Sequence, residues 1–490
     1  MLRKVATTGV DLDNVYDQTL RRIREQKGDR SRLGIEVLMW ASHAERPLRI
    51  DELCHALAAE MGATDLDLEN VRQQDTVLGS CLGLAVVDKK TSTVRLIHYT
   101  LQEHLSRPGV LPNAHRTLGQ TCLTYLNYNQ VKSLPADSVV DLEGMPFLEY
   151  SSLHWWRHAN YNQVKSLPAD NVVNLEGMPF LEYSSLHWGR HAKIELSDHA
   201  KSLALKLLSR YDNHISSVLL FNQVYPYHRL HSYPSPTRHP FPGLHCASHF
   251  GIDEVMAALM EVEGCDINQG DCMGHTPLLW AAREGNQEAA TLLFTRDDID
   301  PDKADNDGRT PLQCASAKGH VEVVRLLLAR DDVNPYKSDR FGRTPLTRAC
   351  FEGREGVVRL LLARDDVNPE KPDNHSQTPL WRASFSGHEE VVRLLLARDD
   401  VNPDHPNNDG IAPLRCAFTD GYMGIVRLLL TRDDVNPDKL DRYSEQCSQP
   451  SSPSVFGGGR DGLWLVVRLF GGARTDYARE GKDRTDYRGL

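Results

Sequence analysis

Residues 310–328 read TPLQCASAKGHVEVVRLLL. The stretch returns as TPLTRACFEGREGVVRLLL at 344–362 and as TPLWRASFSGHEEVVRLLL at 378–396, a period of 34. Working outward, Pro277, Pro311, Pro345, Pro379 and Pro413 share one register, and Gly243 in PGLHCASHFG falls one period before the first of them. One unit can be read physically. Thr310 before Pro311 caps a short helix whose first turn tolerates proline. Leu312, Cys314 and Ala315 are its apolar side, and Gly319 ends it in a left-handed turn. Val323, Val324, Leu326, Leu327 and Leu328 build a second, more hydrophobic helix. Asp331, Asp332, Asn334 and Pro335 then break it into a loop. One such helix pair cannot cover its own apolar face, so the units must stack.

TPLxxAxxxGxxxVVxLLL resembles the ankyrin repeat, over about residues 240–440 and five or six times in register. The resemblance implies an L-shaped unit of two antiparallel helices with a projecting hairpin, stacked as a solenoid. It also implies a protein partner held by the hairpins and first helices on the concave side. Two departures affect the expected geometry. The His that usually follows TPL survives only as His245, its place elsewhere being taken by Leu279, Gln313, Thr347, Trp381 and Arg415. The Gly usual after the second helix is replaced by the ARDD of Ala329–Asp332 and its copies.

On that pattern the partner-binding candidates are Arg309, Lys318, Phe341, Arg343, Phe351, Glu352, Trp381, Phe385, Ile411 and Thr419. Aromatics and Arg dominate binding hot spots. Phe351 and Phe385 have a competing reading, packing between neighbouring repeats. Arg348 and Arg382 occupy a position where repeats commonly carry an apolar residue, as Trp280 does; either their stems pack with the heads in water, or they face the groove. Arg325, Arg359, Arg393 and Arg427 recur on the second helix as a solvated face, expected to pair with the Asp-Asp of the next loop; a basic ladder for an acidic partner is the other reading.

The 490 residues predict two to four units at roughly 100–200 residues each. A net charge of −11 argues against a broad nucleic-acid footprint. No run approaches the ~18–20 apolar residues of a membrane helix, and MLRKVATTGVDLDN lacks a signal-peptide core. Ten cysteines without a C-x-x-C pair read as reduced cytosolic thiols.

Residues 12–105 read as small helices and then a strand pair turning at Asp88–Ser92, with a closing helix through Gln102 and Leu105. LDNVYDQTLRRI, VLMWASHAERPLRIDELCHALA and VRLIHYTLQEHL resemble the winged-helix segment of NACHT-type signalling NTPases, common in fungi. There the winged helix helps hold the ATPase closed or open and the C-terminal repeats sense the ligand. The ATPase itself is missing: no G-x-x-x-x-G-K-[ST] occurs. Winged helices also bind DNA, so a nuclear DNA-associated regulator is the rival reading. Its reader helix falls at Leu66–Leu78, where Arg72, Gln73 and Gln74 are offset by Asp67, Glu69 and Asp75.

Residues 127–159 and 160–192 are a tandem copy differing at Ser138/Asn171, Asp141/Asn174 and Trp156/Gly189. In the NACHT–ankyrin resemblance one FLEYSSLHWGRHA-like helix bridges winged helix and repeats, which makes the second copy the expected insertion. His154/His158 and His187/His191 have a spacing that chelates zinc, but no third ligand lies nearby and the intervening Trp155 and Trp188 suit packing. His388-Glu389 lacks the second His of a metalloprotease helix, the NDG loops lack the ligands of a calcium loop, and no G-x-S-x-G elbow is present.

The expectation is a mainly α chain. It has a winged-helix-like domain with a small β wing (1–110), a helical spacer (111–235), an ankyrin solenoid (236–440) and a degenerate or disordered tail (441–490). It is expected to be a cytoplasmic, non-catalytic interaction protein with no cofactor, metal, small-molecule substrate, membrane or nucleic-acid partner.

Overall fold

The computed structural model describes residues 12–134, 139–140, 172–173, 178–211, 214–224 and 241–435. The tail at 441–490, the Pro-rich 225–240 stretch, the His154/His158 pair and most of the first tandem copy lie outside these. The described residues are mainly helical and fall into two units. The first takes those up to Ala281 together with Glu288–Ile299; the second takes Ala282–Gln287 and those from Asp300 onward.

The first unit opens with α1 (Leu12–Arg24), α2 (Arg30–His43) and α3 (Ile50–Ala58). A short α4 (Gln74–Gly79) leads to strands β1 (Ala85–Val87) and β2 (Val94–Leu96), closed by α5 (Tyr99–Leu105). The strands pair antiparallel, Val86 opposite Arg95, as the wing. Tyr16, Leu20, Val37, Leu38, Leu53, Val77 and Leu101 form the core beneath it. The helix expected over Leu66–Leu78 is corrected: that stretch is a 3-10 turn at Leu68–Asn70, and then α4 begins at Gln74. Asp67 caps the turn through Glu69 N. Short polar side chains bond locally and compete with helix propagation, which is why the helix does not run through.

The spacer is α6 (Ala114–Leu126), α7 (Asn129–Lys132), α8 (Phe180–Ile194), α9 (Asp198–Leu208) and α10 (Ile215–Val224). Val139–Val140 and Val172–Val173, equivalent residues of the two copies, pair in parallel. α8 comes from the second copy, and it packs against α6, α10 and α3. Phe180, Tyr183 and Trp188 of α8 are fully buried. Arg46 ties this helix to the winged-helix domain: it grips the buried Glu52 with two hydrogen bonds of 2.8 and 2.7 Å, lies 3.8 Å from Glu182, and sits over the Tyr183 ring. Gly189 fits because it has no side chain: a Cβ there would lie 2.2 Å from the Phe250 ring. The second copy, expected to be the insertion, supplies this buried helix.

α11 (Gly243–Phe250), α12 (Asp253–Met260), α13 (Pro277–Glu284) and α14 (Gln287–Leu293) are the first two helix pairs of the array. The second unit continues it with α15 (Pro311–Lys318) and α16 (Val321–Leu328), α17 (Pro345–Phe351) and α18 (Glu355–Leu362). α19 (Pro379–Ser386) and α20 (Glu389–Leu396), then α21 (Pro413–Thr419) and α22 (Met423–Leu429), complete it. Within the second unit first helices pack on first helices and second on second. Thr310, Thr344 and Thr378 cap as the sequence predicts, while Ala412 leaves α21 uncapped. Val323, Val324 and Leu327 are buried on α16, and their equivalents on α18 and α20 likewise. At about 1.5–3 kcal/mol for each buried side chain, each of these three helices contributes roughly 5–9 kcal/mol before chain entropy is subtracted.

The ARDD segments have a definite role. Arg330, Arg364, Arg398 and Arg432 each fold onto the Asp two residues on, at 2.6–2.7 Å. Arg364, Arg398 and Arg432 also donate to Leu328, Leu362 and Leu396 carbonyls, at the C-terminal end of the preceding unit's second helix. Those carbonyls have no partner within their own helix. The expected pairing of the Asp-Asp with the helix arginines is thereby corrected: Arg325 pairs with Glu322, Arg359 with Glu390 and Arg393 with Glu389.

Candidate protein-binding surface

Each hairpin of the array starts from one side chain: Asp271, Asp305, Asp339, Asp373 or Asn407, five residues before the first-helix cap. In Asp339 one carboxylate oxygen accepts from Phe341 N and Arg343 N, both at 2.9 Å, which folds the turn. Asp305, Asp373 and Asn407 do the same at their own i+2 and i+4 amides. The other carboxylate oxygen needs a donor because the group is sealed from water. Arg309 supplies it to Asp305 at 2.7 Å and Arg343 to Asp339 at 2.8 Å. Position 377 is Gln, and Arg382 of α19 reaches Asp373 instead, at 2.6 Å. In the first unit the Trp280 indole serves Asp271 at 3.1 Å.

Successive hairpins are also joined by backbone: Arg340 N donates to Asp307 O, Asn374 N to Phe341 O and Asn408 N to His375 O. A second inter-repeat link comes from the position after TPL. Gln313 Nε2 donates to Arg343 O at 2.7 Å and Trp381 Nε1 to Ile411 O at 2.9 Å, each reaching the next hairpin. In the first unit His245 Nε2 bonds Gln269 O.

The ten candidates divide accordingly. Lys318, Glu352 and Thr419 are exposed at the ends of the first helices. Phe351 and Phe385 are half-buried; Phe351 lies under the Arg382 guanidinium and Phe385 stacks on Trp381 at 5.3 Å. Phe341 is half-buried between Arg340 and Arg343. Arg309 and Arg343 are engaged by their aspartates and present only part of their surface. Ile411 is half-buried, and its carbonyl is taken by Trp381. Trp381 is a correction: at 5% exposure it is an interior residue, its indole N–H spent on the Ile411 carbonyl as the His245 ring is on Gln269 O. Sequence reading missed Asp305, Asp339 and Asp373, although their 34-residue recurrence was visible.

Elsewhere the earlier candidates disperse. Both nitrogens of His191 are engaged, by His115 Nδ1 and the Tyr183 hydroxyl at 3.0 Å each, so His187 and His191 form no chelate. Among the described residues no group of His, Cys, Asp or Glu is arranged to hold a metal, and no helix is long and apolar enough to cross a membrane. At the expected DNA-reading segment Arg72 is ion-paired to Asp29 at 3.0 Å.

The family profile for ankyrin repeats matches three times, over residues 241–305, 298–373 and 367–441. The profile described as "GPI inositol-deacylase, winged helix domain" matches residues 21–112. No curated protein matches the chain significantly. The chain carries a winged helix domain followed by ankyrin repeats, and those repeats support a protein-interaction role.

Proposed function

We propose that this chain is a non-catalytic, cytoplasmic interaction scaffold whose ankyrin array holds a protein partner on its hairpin and first-helix side. We read it further as the sensing and regulatory part of a NACHT-like signalling protein. The order of winged helix, helical spacer and ankyrin array supports that finer reading.

One observation carries the proposal. Lys318 and Glu352 recur in register at the ends of α15 and α17, and Thr419 ends α21 in the register of half-buried Phe351 and Phe385; Lys318, Glu352 and Thr419 are exposed. Mixed polar and aromatic surface held on rigid helices suits a hot-spot interface. The outer arginines of the second helices are instead engaged with neighbouring glutamates, and exposed pairs of that kind add little energy.

The test uses the full chain as bait with quantitative mass spectrometry of what it retains. Lys318→Glu with Glu352→Lys should abolish retention of one specific protein at unchanged melting temperature. Arg325→Glu with Arg359→Glu on the outer face should leave it intact. Equal sensitivity to both pairs, or to neither, would contradict the assignment of the surface.

A further inference from the structure

The position nine residues after the hairpin acid is Trp280, Cys314, Arg348, Arg382 and Cys416 along the array. Where it is polar it can serve that acid, as Trp280 and Arg382 do. Arg348 is the exception. Its own hairpin acid, Asp339, is already satisfied by Arg343 at 2.8 Å, so this repeat holds two cations for one carboxylate. Among the described residues Arg348 has no hydrogen-bonded side chain or ion-pair partner, and its Nε is sealed from solvent without an acceptor. Glu352, one helical turn on, is exposed and does not pair with it.

The surroundings add positive charge. The fields of Arg348 and Arg382 act against protonation of Arg343, whose proton affinity is lowered first by burial and then by those neighbours. The charges of Arg309, Arg283 and Arg348 all reach the Cys314 thiol. Arg309, Arg343 and Arg382 each have an aspartate; Arg348 does not. A half-buried guanidinium without an acceptor costs stability. A fork of donors left open matches a planar carboxylate, and Phe351 lies on the same helix one turn away.

We propose that Arg348 anchors an anion subsite of the array that takes the side-chain carboxylate of one Glu or Asp of a partner peptide, with an adjacent apolar side chain against Phe351. This rests on the reading of the array as a protein-binding surface and names one feature of the partner. The chain's net charge of −11 disfavours a polyacidic ligand. A single acid in an otherwise apolar segment matches the one guanidinium of Arg348.

The test passes the full chain over immobilised pools of end-blocked octapeptides. Their central residue is fixed as Glu, Gln or phosphoserine, and their flanks are randomised over apolar and neutral residues. The Glu pool should retain the chain at least about tenfold better than the Gln pool. Arg348→Leu should erase that preference without lowering the melting temperature, because no native ion pair is lost. Arg348→Lys should keep a reduced preference, having charge without the fork. Equal retention by Glu and Gln, no retention by either, selection of phosphoserine alone, a preference that survives Arg348→Leu, or a lowered melting temperature in that variant would each overturn the proposal. Failure here with partner retention still sensitive to Lys318→Glu and Glu352→Lys removes only the subsite; insensitivity of both removes the binding surface beneath it.

Discussion

Asn407 stands where the preceding hairpins carry aspartate, and the reason is visible at the two positions that would serve the acid. Position 411 is Ile and position 416 is Cys, so no cation or indole is available there. A neutral amide folds the turn equally well through one oxygen and leaves no buried charge behind. Asn407→Asp is therefore expected to destabilise the chain by about 1–3 kcal/mol near neutral pH, the cost of an unpaired buried charge. Ile411→Arg should recover most of that loss in the double variant by restoring the Asp–Arg geometry of Asp339 and Arg343. Chemical denaturation of the four chains as a double-mutant cycle measures the coupling; independent effects would contradict the role given to the hairpin acid. None of this was legible from one repeat, since an Asp before a turn reads as an ordinary turn former. Only the column of five, set beside its alternating donors, shows that the acid is structural. Trp381 was misread for a related reason: a lone aromatic looked like a contact residue, whereas His245, Gln313 and Trp381 share an N–H donor at one repeat position.

Among elements, α8 shows how little separates two nearly identical segments. The tandem copies differ at three positions, and one of them, Gly189 in the second copy, lies against Phe250. Trp156 in the first copy is Gly189 in the second, where even a Cβ would collide with Phe250. Gly189→Trp is expected to destabilise the first unit by about 3 kcal/mol or more, the upper range for overpacked cores. Thermal unfolding followed by near-ultraviolet circular dichroism reports it through the buried Trp40 and Trp188. An unchanged transition would show that Gly189 is not held against Phe250. The helices of the array were legible because capping threonines, Pro at the first turn and periodic Val and Leu all agree. The segment at Leu66–Leu78 was not, because its apolar residues suggest a helix while Asp67 and its neighbours bond locally.

For the whole molecule, acid should separate the units. Burial pushes His187 and His191 down to about 3 and His214 and His245 down to about 4. An unfolded histidine titrates near ~6.5, so on acidification the unfolded chain takes up protons before the folded one. This contribution is complete above about pH 6.5 and is lost as pH falls towards 3–4. All four residues lie in the first unit. Hydrogen exchange between pH 6.5 and 4.5 should show α6, α8 and α10 losing protection well before α15–α22; simultaneous loss would contradict the assignment. The broad architecture was legible because a 34-residue period and a helix–hairpin–helix order leave few alternatives. What the array binds was not, since function belongs to surface residues that the repeat pattern leaves free to vary.

The most direct measurement is hydrogen exchange of the full chain with and without its captured partner. Protection is expected at the hairpins 305–309 and 339–343 and at the first-helix ends carrying Lys318, Glu352 and Thr419. The outer helices α16, α18 and α20 should exchange unchanged. Protection confined to those outer helices, or to the wing at β1 and β2, would contradict it.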